Sequence, residues 1–188
     1  MRIFISGGCK NGKSFYAQRL AKLQGENAPL YYVATMRPVD AEDGERIRRH
    51  RGEREGWGFI TVEQPRDISE IAVKCDQDGS LLLDSVTALL ANEMFSPGEE
   101  VDRSAAEKIA NEIDGLLNKF KNIVIVSDTI YSDAMVYEQL TEEYRMALAR
   151  IDRTAAMRCD AVLEVSFSNV IMHKGAIDGI DNWRGVPG

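Results

Sequence analysis

Short apolar segments alternate along the chain with longer segments whose apolar residues recur every three to four positions. A short run rich in Ile, Val, Leu or Tyr is typical of a strand buried on both faces, and a period near 3.6 is typical of an amphipathic helix. The predicted strands are residues 1–6, 29–35, 59–62, 80–84, 122–128 and 161–165. Their alternation with helical segments predicts a mostly parallel sheet with helices on both faces.

The helical segments differ in how clear their pattern is. The clearest is 101–120, whose apolar side consists of Ala106, Ile109, Ile113, Leu116 and Leu117. The other predicted helices are 15–23, 86–95, 141–158 and a short helix that ends at residue 73. Residues 67–70 resemble the cap of this short helix, with Asp67 as the capping residue and an acidic residue three positions later. After residue 168 the pattern is weak, so we expect the last ~20 residues to be loosely ordered. The chain has no repeat or linker, which favours one domain over 1–188.

The segment between the first strand and the first helix has the pattern G-x-x-x-x-G-K-S. It consists of Gly7, Gly8, Cys9, Lys10, Asn11, Gly12, Lys13 and Ser14. Between a strand and a helix, such glycines let backbone N–H groups and the helix dipole bind a polyphosphate. Lys13 would reach the β- and γ-phosphates as a catalytic residue, and Ser14 would bind Mg²⁺. A chance match in a glycine-rich turn is disfavoured by both flanks. The chain is therefore predicted to be a single P-loop NTPase-like α/β domain.

Polar residues follow several of the predicted strands. In parallel α/β sheets ligands bind at the carboxyl ends of the strands, so the phosphate loop, Thr35, Asp84 and Asp128 are expected along one edge. Asp84 ends an apolar strand, where phosphate-loop proteins keep a carboxylate on the Mg²⁺ side. The alternative is that Asp84 only caps the helix that follows it.

Composition narrows the possible partners. The chain has 188 residues and a net charge of −7, with 44% hydrophobic and 28% charged residues. This acidic balance disfavours a general nucleic-acid or anionic-membrane binder, and no apolar run is long enough to span a bilayer. Three widely spaced cysteines predict neither a disulfide framework nor a zinc site. We therefore expect a cytoplasmic protein.

A charged segment, 37–54, holds six arginines and five acidic residues. If it is helical, Arg46, His50 and Arg54 share one face. Neighbouring cations disfavour the imidazolium form, so His50 could be a neutral nucleophile whose arginine neighbours hold a triphosphate. The alternative is a solvated face with its charges in balance. The other histidine, His173, has no such setting and is expected to be structural.

Several blocks occur in order along the first half of the chain. They are the phosphate loop, Tyr32-Val33-Ala34-Thr35, Asp40-x-Glu42, Arg46-Ile47-x-x-His50-Arg51-x-x-Arg54, Trp57, Thr61-x-Glu63-x-Pro65, Leu83-Asp84-Ser85-Val86-Thr87 and Asn92. This order resembles the bifunctional adenosylcobinamide kinase/adenosylcobinamide-phosphate guanylyltransferase family of cobalamin biosynthesis. The arginine–histidine block makes the resemblance specific, because it is not a general feature of phosphate-loop enzymes.

The resemblance implies a two-step transferase with Mg²⁺ as cofactor. It would phosphorylate the aminopropanol hydroxyl of adenosylcobinamide with ATP or GTP. It would then pass GMP from GTP through a catalytic histidine, here His50, to give adenosylcobinamide-GDP. Beyond the phosphate loop, the implied nucleotide-binding residues are Thr35, Arg46, Arg49, Arg54, Glu63 and Asp84. The implied partners are a corrinoid and nucleotides rather than nucleic acid, in a cytoplasmic homo-oligomer that the resemblance suggests is a trimer.

The second half of the chain departs from that family. After Ser127 the family has an Asn-Glu-Val-Gly block, whereas this chain has Asp128-Thr129-Ile130-Tyr131. Asp128 could still serve as a carboxylate at the edge of the sheet. The departure keeps two alternatives open. One is a small-molecule kinase that uses Lys13, Ser14 and Asp84, and the other is a regulatory protein that binds nucleotide with little catalysis.

Overall fold

The computed structural model of the chain describes residues 1–25, 28–38, 44–45, 48, 52, 54–167 and 169–178. Within these residues the strands form one sheet. They are β1 (Arg2–Gly7), β2 (Leu30–Ala34), β3 (Ile60–Glu63), β4 (Ser80–Asp84), β5 (Asn122–Val126), β6 (Ala161–Ser166) and β7 (Asn169–Lys174). The helices are α1 (Lys13–Gln24), α2 (Ile71–Lys74), α3 (Val86–Met94), α4 (Ala105–Lys119) and α5 (Gln139–Arg158). A 3₁₀ helix, Ile68–Glu70, directly precedes α2.

The sheet order is β3-β2-β4-β5-β1-β6-β7. All neighbouring pairs from β3 to β6 are parallel, and β7 pairs with β6 in the antiparallel direction. The predicted mostly parallel sheet is therefore confirmed. The sequence did not predict β7, because this edge strand buries little and carries polar residues such as Asn169, His173 and Lys174. A strand of that kind lacks the apolar run that identified the other six.

Helices cover both faces of the sheet, as the alternation predicted. On one face α1 packs Tyr16, Ala17 and Leu20 against apolar residues of β1, β2 and β4. On the other face α2 to α5 pack against the opposite side of the same strands. The site described below lies where the carboxyl ends of β1, β4 and β5 meet the first turn of α1.

Asp67 stands at the start of the 3₁₀ helix as predicted, but its side chain does not cap that helix. Asp67 adopts a positive φ of 52° and makes no capping hydrogen bond with its side chain. Its carboxylate pairs instead with Lys108 of α4 at 2.6 Å, and its backbone N–H donates to Glu93 of α3 at 2.8 Å. Asp67 therefore connects the start of the 3₁₀ helix to α3 and α4, an arrangement that local sequence does not reveal.

Candidate nucleotide site at the carboxyl edge of the sheet

The phosphate loop leads directly from β1 into α1. Gly12, immediately before α1, has a φ of 86°, a conformation that residues with a Cβ rarely adopt. The side chain of Asn11 donates to the carbonyl of Val165 and accepts from the N–H of Lys13 at 3.2 Å. The loop is thereby fastened to β6, with the N-terminus of α1 facing into it. Backbone N–H groups and a helix dipole in this arrangement favour an anion.

The Lys13 side chain crosses the loop and is held at two points. Its Nζ donates to the carbonyl of Gly8 at 3.0 Å and forms an ion pair with Asp128 Oδ1 at 2.5 Å. The two side chains are only 8% and 15% exposed, so little water screens the pair. Sequence reasoning placed Asp128 at this edge but gave no sign that it pairs with Lys13, because the two residues are more than a hundred positions apart.

The carboxylates of Asp128 and Asp152 lie near the end of β5, on opposite faces of the sheet. Val126 packs on the α1 side and Ile125 on the α5 side, and the same alternation continues through the next two residues. Ser127 therefore turns toward α5, where its hydroxyl donates to Asp152 Oδ2 at 3.0 Å. Asp128 turns toward α1 and Lys13.

Asp152 is the most deeply buried acid of this region, at 3% exposure. Its Oδ2 accepts from the Ser127 and Tyr131 hydroxyls, whereas Oδ1 has no hydrogen-bond partner among the described residues. Burial raises the pKa of Asp152 to about 7, and the charge of Asp128 acts in the same direction. Burial and the neighbouring Asp152 also raise the pKa of Tyr131. Nothing in the local sequence around Asp152 indicates this buried setting.

We expect Asp152→Asn to remove a pH dependence of stability. The pKa rises on folding from 3.8 to about 7, so folding favours the protonated acid. This stabilisation is complete below pH ~4 and lost as the pH rises through about 7, at up to ~1.4 kcal/mol per unit. Asn keeps an acceptor for both hydroxyls but does not titrate. The free energy of unfolding of the variant minus that of the wild type, from urea melts, should therefore rise by up to about 4 kcal/mol across that range.

The exposed variant Asp78→Asn, measured at the same pH values, controls for general effects of losing a carboxylate. If the difference between Asp152→Asn and the wild type does not vary with pH, Asp152 does not have the raised pKa that its burial implies.

Asp84 lies on the α1 side of the sheet, at the end of β4. Leu82, two residues earlier on the same strand, packs in the core on that side. Asp84 Oδ2 accepts a hydrogen bond from the Tyr32 hydroxyl at 2.7 Å. The helix that follows is capped by Ser85, whose Oγ accepts from the N–H of Ala88. The alternative that Asp84 only caps this helix is therefore wrong.

Thr35 is fully buried beside Asp84. Its hydroxyl donates to the carbonyl of Ser85 and accepts from the N–H of Ser85, both at 2.8 Å. The Asn92 amide donates to the carbonyls of Thr35 and Pro65. These bonds hold the end of β2 to the start of α3. They give Thr35 a role in positioning Asp84 and Ser85, and its predicted contact with nucleotide stays a prediction.

An open cavity of about 890 Å³ adjoins this edge of the sheet. Its lining residues are Gly52, Arg54, Glu55, Gly56, Gly58, Phe59, Thr61 and Glu63. Arg54 is buried, and its guanidinium carbon lies 3.6 Å from the centroid of the Tyr32 ring. Because the Tyr32 hydroxyl also bonds Asp84, this tyrosine connects the cavity to the phosphate-loop region. The structure thus brings Arg54 and Glu63 to one cavity.

Other predicted site residues stand as follows. In the phosphate loop Gly8, Cys9 and Lys10 are exposed, and Ser14, the second residue of α1, is half-buried. The catalytic candidate His50 and its neighbours Arg46 and Arg49 lie outside the described residues. His173 forms an exposed pair with Glu164 on β6 and β7, at 2.8 Å.

The sequence pattern of a known family matches residues 3–168 of the chain, and that family is described as cobinamide kinase / cobinamide phosphate guanyltransferase, CobU. The chain belongs to this family. The match extends through the second half of the chain, beyond the blocks that suggested the resemblance. It identifies the chain as a transferase of cobalamin biosynthesis.

Two relatives illustrate the similarity. The bifunctional adenosylcobalamin biosynthesis protein CobU of Escherichia coli is 28% identical over 174 residues, which cover 86% of this chain and 93% of the relative. The bifunctional adenosylcobalamin biosynthesis protein CobP of Pseudomonas aeruginosa is 28% identical over 166 residues, covering 86% of this chain and 91% of the relative. Each alignment includes most of both proteins.

Solved structures show the fold. A KaiC-like protein from Pyrococcus horikoshii superposes with a TM-score of 0.52 at 15% identity, covering 92% of this chain and 78% of that one. An ATPase domain gives a TM-score of 0.51 at 13% identity, covering 92% and 76%. The P-loop NTPase-like fold is therefore confirmed. In the part of the chain that the structure describes, no helix has the length and apolar character needed to cross a membrane.

Proposed function

We propose that this chain phosphorylates adenosylcobinamide with ATP or GTP and then transfers GMP from GTP to the new phosphate through a histidine–GMP intermediate. The observation that carries the proposal is the Lys13 side chain, held inside an intact phosphate loop in a chain whose family match spans residues 3–168. The relatives from Escherichia coli and Pseudomonas aeruginosa are named as bifunctional proteins of adenosylcobalamin biosynthesis, which supports two activities in one chain.

In the phosphorylation step, the loop amides and the N-terminus of α1 would hold the triphosphate, with Lys13 on its β- and γ-oxygens. Mg²⁺ would be held by the Ser14 hydroxyl and the Asp84 carboxylate, which lie on the same side of the sheet. Oxygen ligands of this kind suit Mg²⁺. When bound, the ion would neutralise charge on the phosphate oxygens. The Tyr32 hydroxyl would keep Asp84 in place.

In the guanylyl step, the imidazole of His50 would attack the α-phosphorus of GTP and release pyrophosphate. Arg46, Arg49 and Arg54 would offset the negative charge on the triphosphate and on the leaving pyrophosphate. Arg54 lines the open cavity together with Glu63, which supports this cavity as part of the nucleotide site. The phosphorylated corrinoid would then take GMP from the histidine.

We further propose that residues 1–188 act as one domain in a cytoplasmic homo-oligomer, a trimer by resemblance to the family. A second candidate function is a kinase that lacks guanylyl transfer. It is favoured by the Asp128-Thr129-Ile130-Tyr131 segment, where Lys13 pairs with an aspartate and Tyr131 bonds a buried acid.

Both steps can be followed on one substrate. The purified chain with Mg²⁺, ATP and adenosylcobinamide should yield a monophosphate by chromatography and mass spectrometry, and added GTP should convert it to the GDP derivative with release of pyrophosphate. A monophosphate that GTP leaves unchanged would favour the kinase alone. If neither product forms although nucleotide binds, the proposal is wrong and a regulatory role would remain.

A further inference from the structure

Asp128 lies beside the place where a γ-phosphate would bind. Its Oδ1 is 2.5 Å from Lys13 Nζ, and a phosphate-loop lysine contacts the β- and γ-phosphates when a triphosphate is bound. The carboxylate is therefore within hydrogen-bond distance of the atom that would touch the transferred group. An acceptor hydroxyl that approaches the γ-phosphorus comes close to the same carboxylate.

The two aspartates on this side of the sheet have different partners. Asp84 accepts from the Tyr32 hydroxyl, a neutral partner that the charge of a triphosphate would not attract. Asp128 is paired with Lys13, a cation that a triphosphate would attract to itself. Two carboxylates in one site take different roles when their surroundings differ. Here the surroundings suit Asp84 for holding a metal ion. They suit Asp128 for releasing Lys13 to the phosphates and then binding a different group.

We infer that Asp128 is the proton acceptor for the alcohol during phosphoryl transfer, an inference that rests on the proposed kinase activity. Lys13 turns from Asp128 to the phosphates when the triphosphate binds, and the freed carboxylate oxygen accepts a hydrogen bond from the substrate hydroxyl. The hydroxyl proton moves to Asp128 as the hydroxyl oxygen bonds the γ-phosphorus. The bond from the γ-phosphorus to the bridging oxygen breaks, and the nucleoside diphosphate leaves with that oxygen and its electron pair.

The surroundings of Asp128 support this assignment. Among the described residues, Lys13 of α1 pairs with Asp128, and burial together with the charge of Asp128 raises the pKa values of Tyr144 and Asp152 on α5. Burial raises the pKa of Asp152 to about 7, which favours its neutral form beside Asp128. The Asp128 N–H donates to Thr87 Oγ1 at 2.9 Å, which fixes its backbone to α3. The hydrogen bond to Thr87 therefore holds the Asp128 backbone beside Lys13, in a position to receive the substrate hydroxyl.

The test is Asp128→Asn, which keeps an oxygen for Lys13 but does not accept a proton. In phosphorylation of adenosylcobinamide we expect kcat to fall about 100-fold or more. The dissociation constant of a fluorescent ATP analogue should stay within about threefold of the wild type. Self-guanylylation with GTP should persist, because that step removes no proton from an alcohol. Asp128→Glu, which retains a carboxylate, should keep more kcat than Asp128→Asn, and the exposed Asp78→Asn is the matched control.

An unchanged kcat in Asp128→Asn would overturn the inference. So would equal losses in Asp128→Asn and Asp128→Glu, or a loss of nucleotide affinity that accounts for the whole effect, because each would leave Asp128 only a role in placing Lys13. If the wild-type chain phosphorylates no corrinoid, the proposed function fails and the inference falls with it. An active wild type with an equally active Asp128→Asn refutes the inference alone.

Discussion

Lys13→Ala should reduce triphosphate-dependent phosphorylation by at least about 100-fold. The ammonium group of Lys13 lies inside the phosphate loop, where it donates to the carbonyl of Gly8 and pairs with Asp128. Alanine removes the charge that would stabilise the β- and γ-phosphates, and it leaves the largely buried Asp128 carboxylate without its counter-charge. We therefore expect weaker nucleotide binding as well as slower transfer, measured by titration with a fluorescent nucleotide and by product formation.

Lys119→Ala is the matched control, because Lys119 is exposed at the far end of α4. Thermal unfolding of both variants separates loss of chemistry from loss of the fold. Near-normal turnover in a folded Lys13→Ala protein would mean that the phosphate loop does not bind the reacting triphosphate.

His50→Ala should abolish guanylyl transfer and leave phosphorylation of the corrinoid intact. In the proposed mechanism the imidazole forms a covalent bond to the α-phosphorus of GTP, and a methyl group offers no nucleophile in its place. Phosphorylation uses the phosphate loop and an alcohol, so it does not need His50. The two activities are measured separately, as monophosphate formed with ATP and as pyrophosphate released from GTP.

The chain contains two histidines, so His173→Ala provides a close control. His173 lies on β7, in an exposed pair with Glu164. Its loss should affect neither reaction. An equal decline of both activities in His50→Ala would show that His50 supports the structure instead of carrying GMP.

The sequence predicted those parts of the fold that can be identified from the residues of one strand, helix or loop alone. Six strands of the sheet are short runs rich in apolar or β-branched residues, and the phosphate loop is a local pattern with a strand before it and a helix after it. The edge strand β7 was not predicted, because its sequence mixes apolar residues with Asn169, His173 and Lys174. Asp67 resembled a helix cap in sequence, but the tertiary contact with Lys108 decides its role.

The site was predicted less completely, for the same physical reason. Lys13 and Asp84 stand in positions that local sequence marks, at a glycine-rich loop and at the end of an apolar strand. Their partners come from other parts of the chain. Asp128 reaches Lys13 only because β5 lies beside β1, and Tyr32 reaches Asp84 only because β2 lies beside β4. Ser127 and Asp152 meet across a face of the sheet, and no spacing in the sequence indicates that pair.

The most direct test of the proposed two-step function is covalent labelling by GTP. The chain is incubated with Mg²⁺ and α-labelled GTP, denatured, and examined by electrophoresis and intact-mass spectrometry. We predict a mass increase of one GMP group that is present in His173→Ala and absent in His50→Ala. The adduct should be lost in acid and stable in base, as expected of a phosphorus–nitrogen bond to imidazole. A wild-type chain that binds GTP yet gains no mass, or an adduct that survives acid, would contradict the histidine–GMP intermediate.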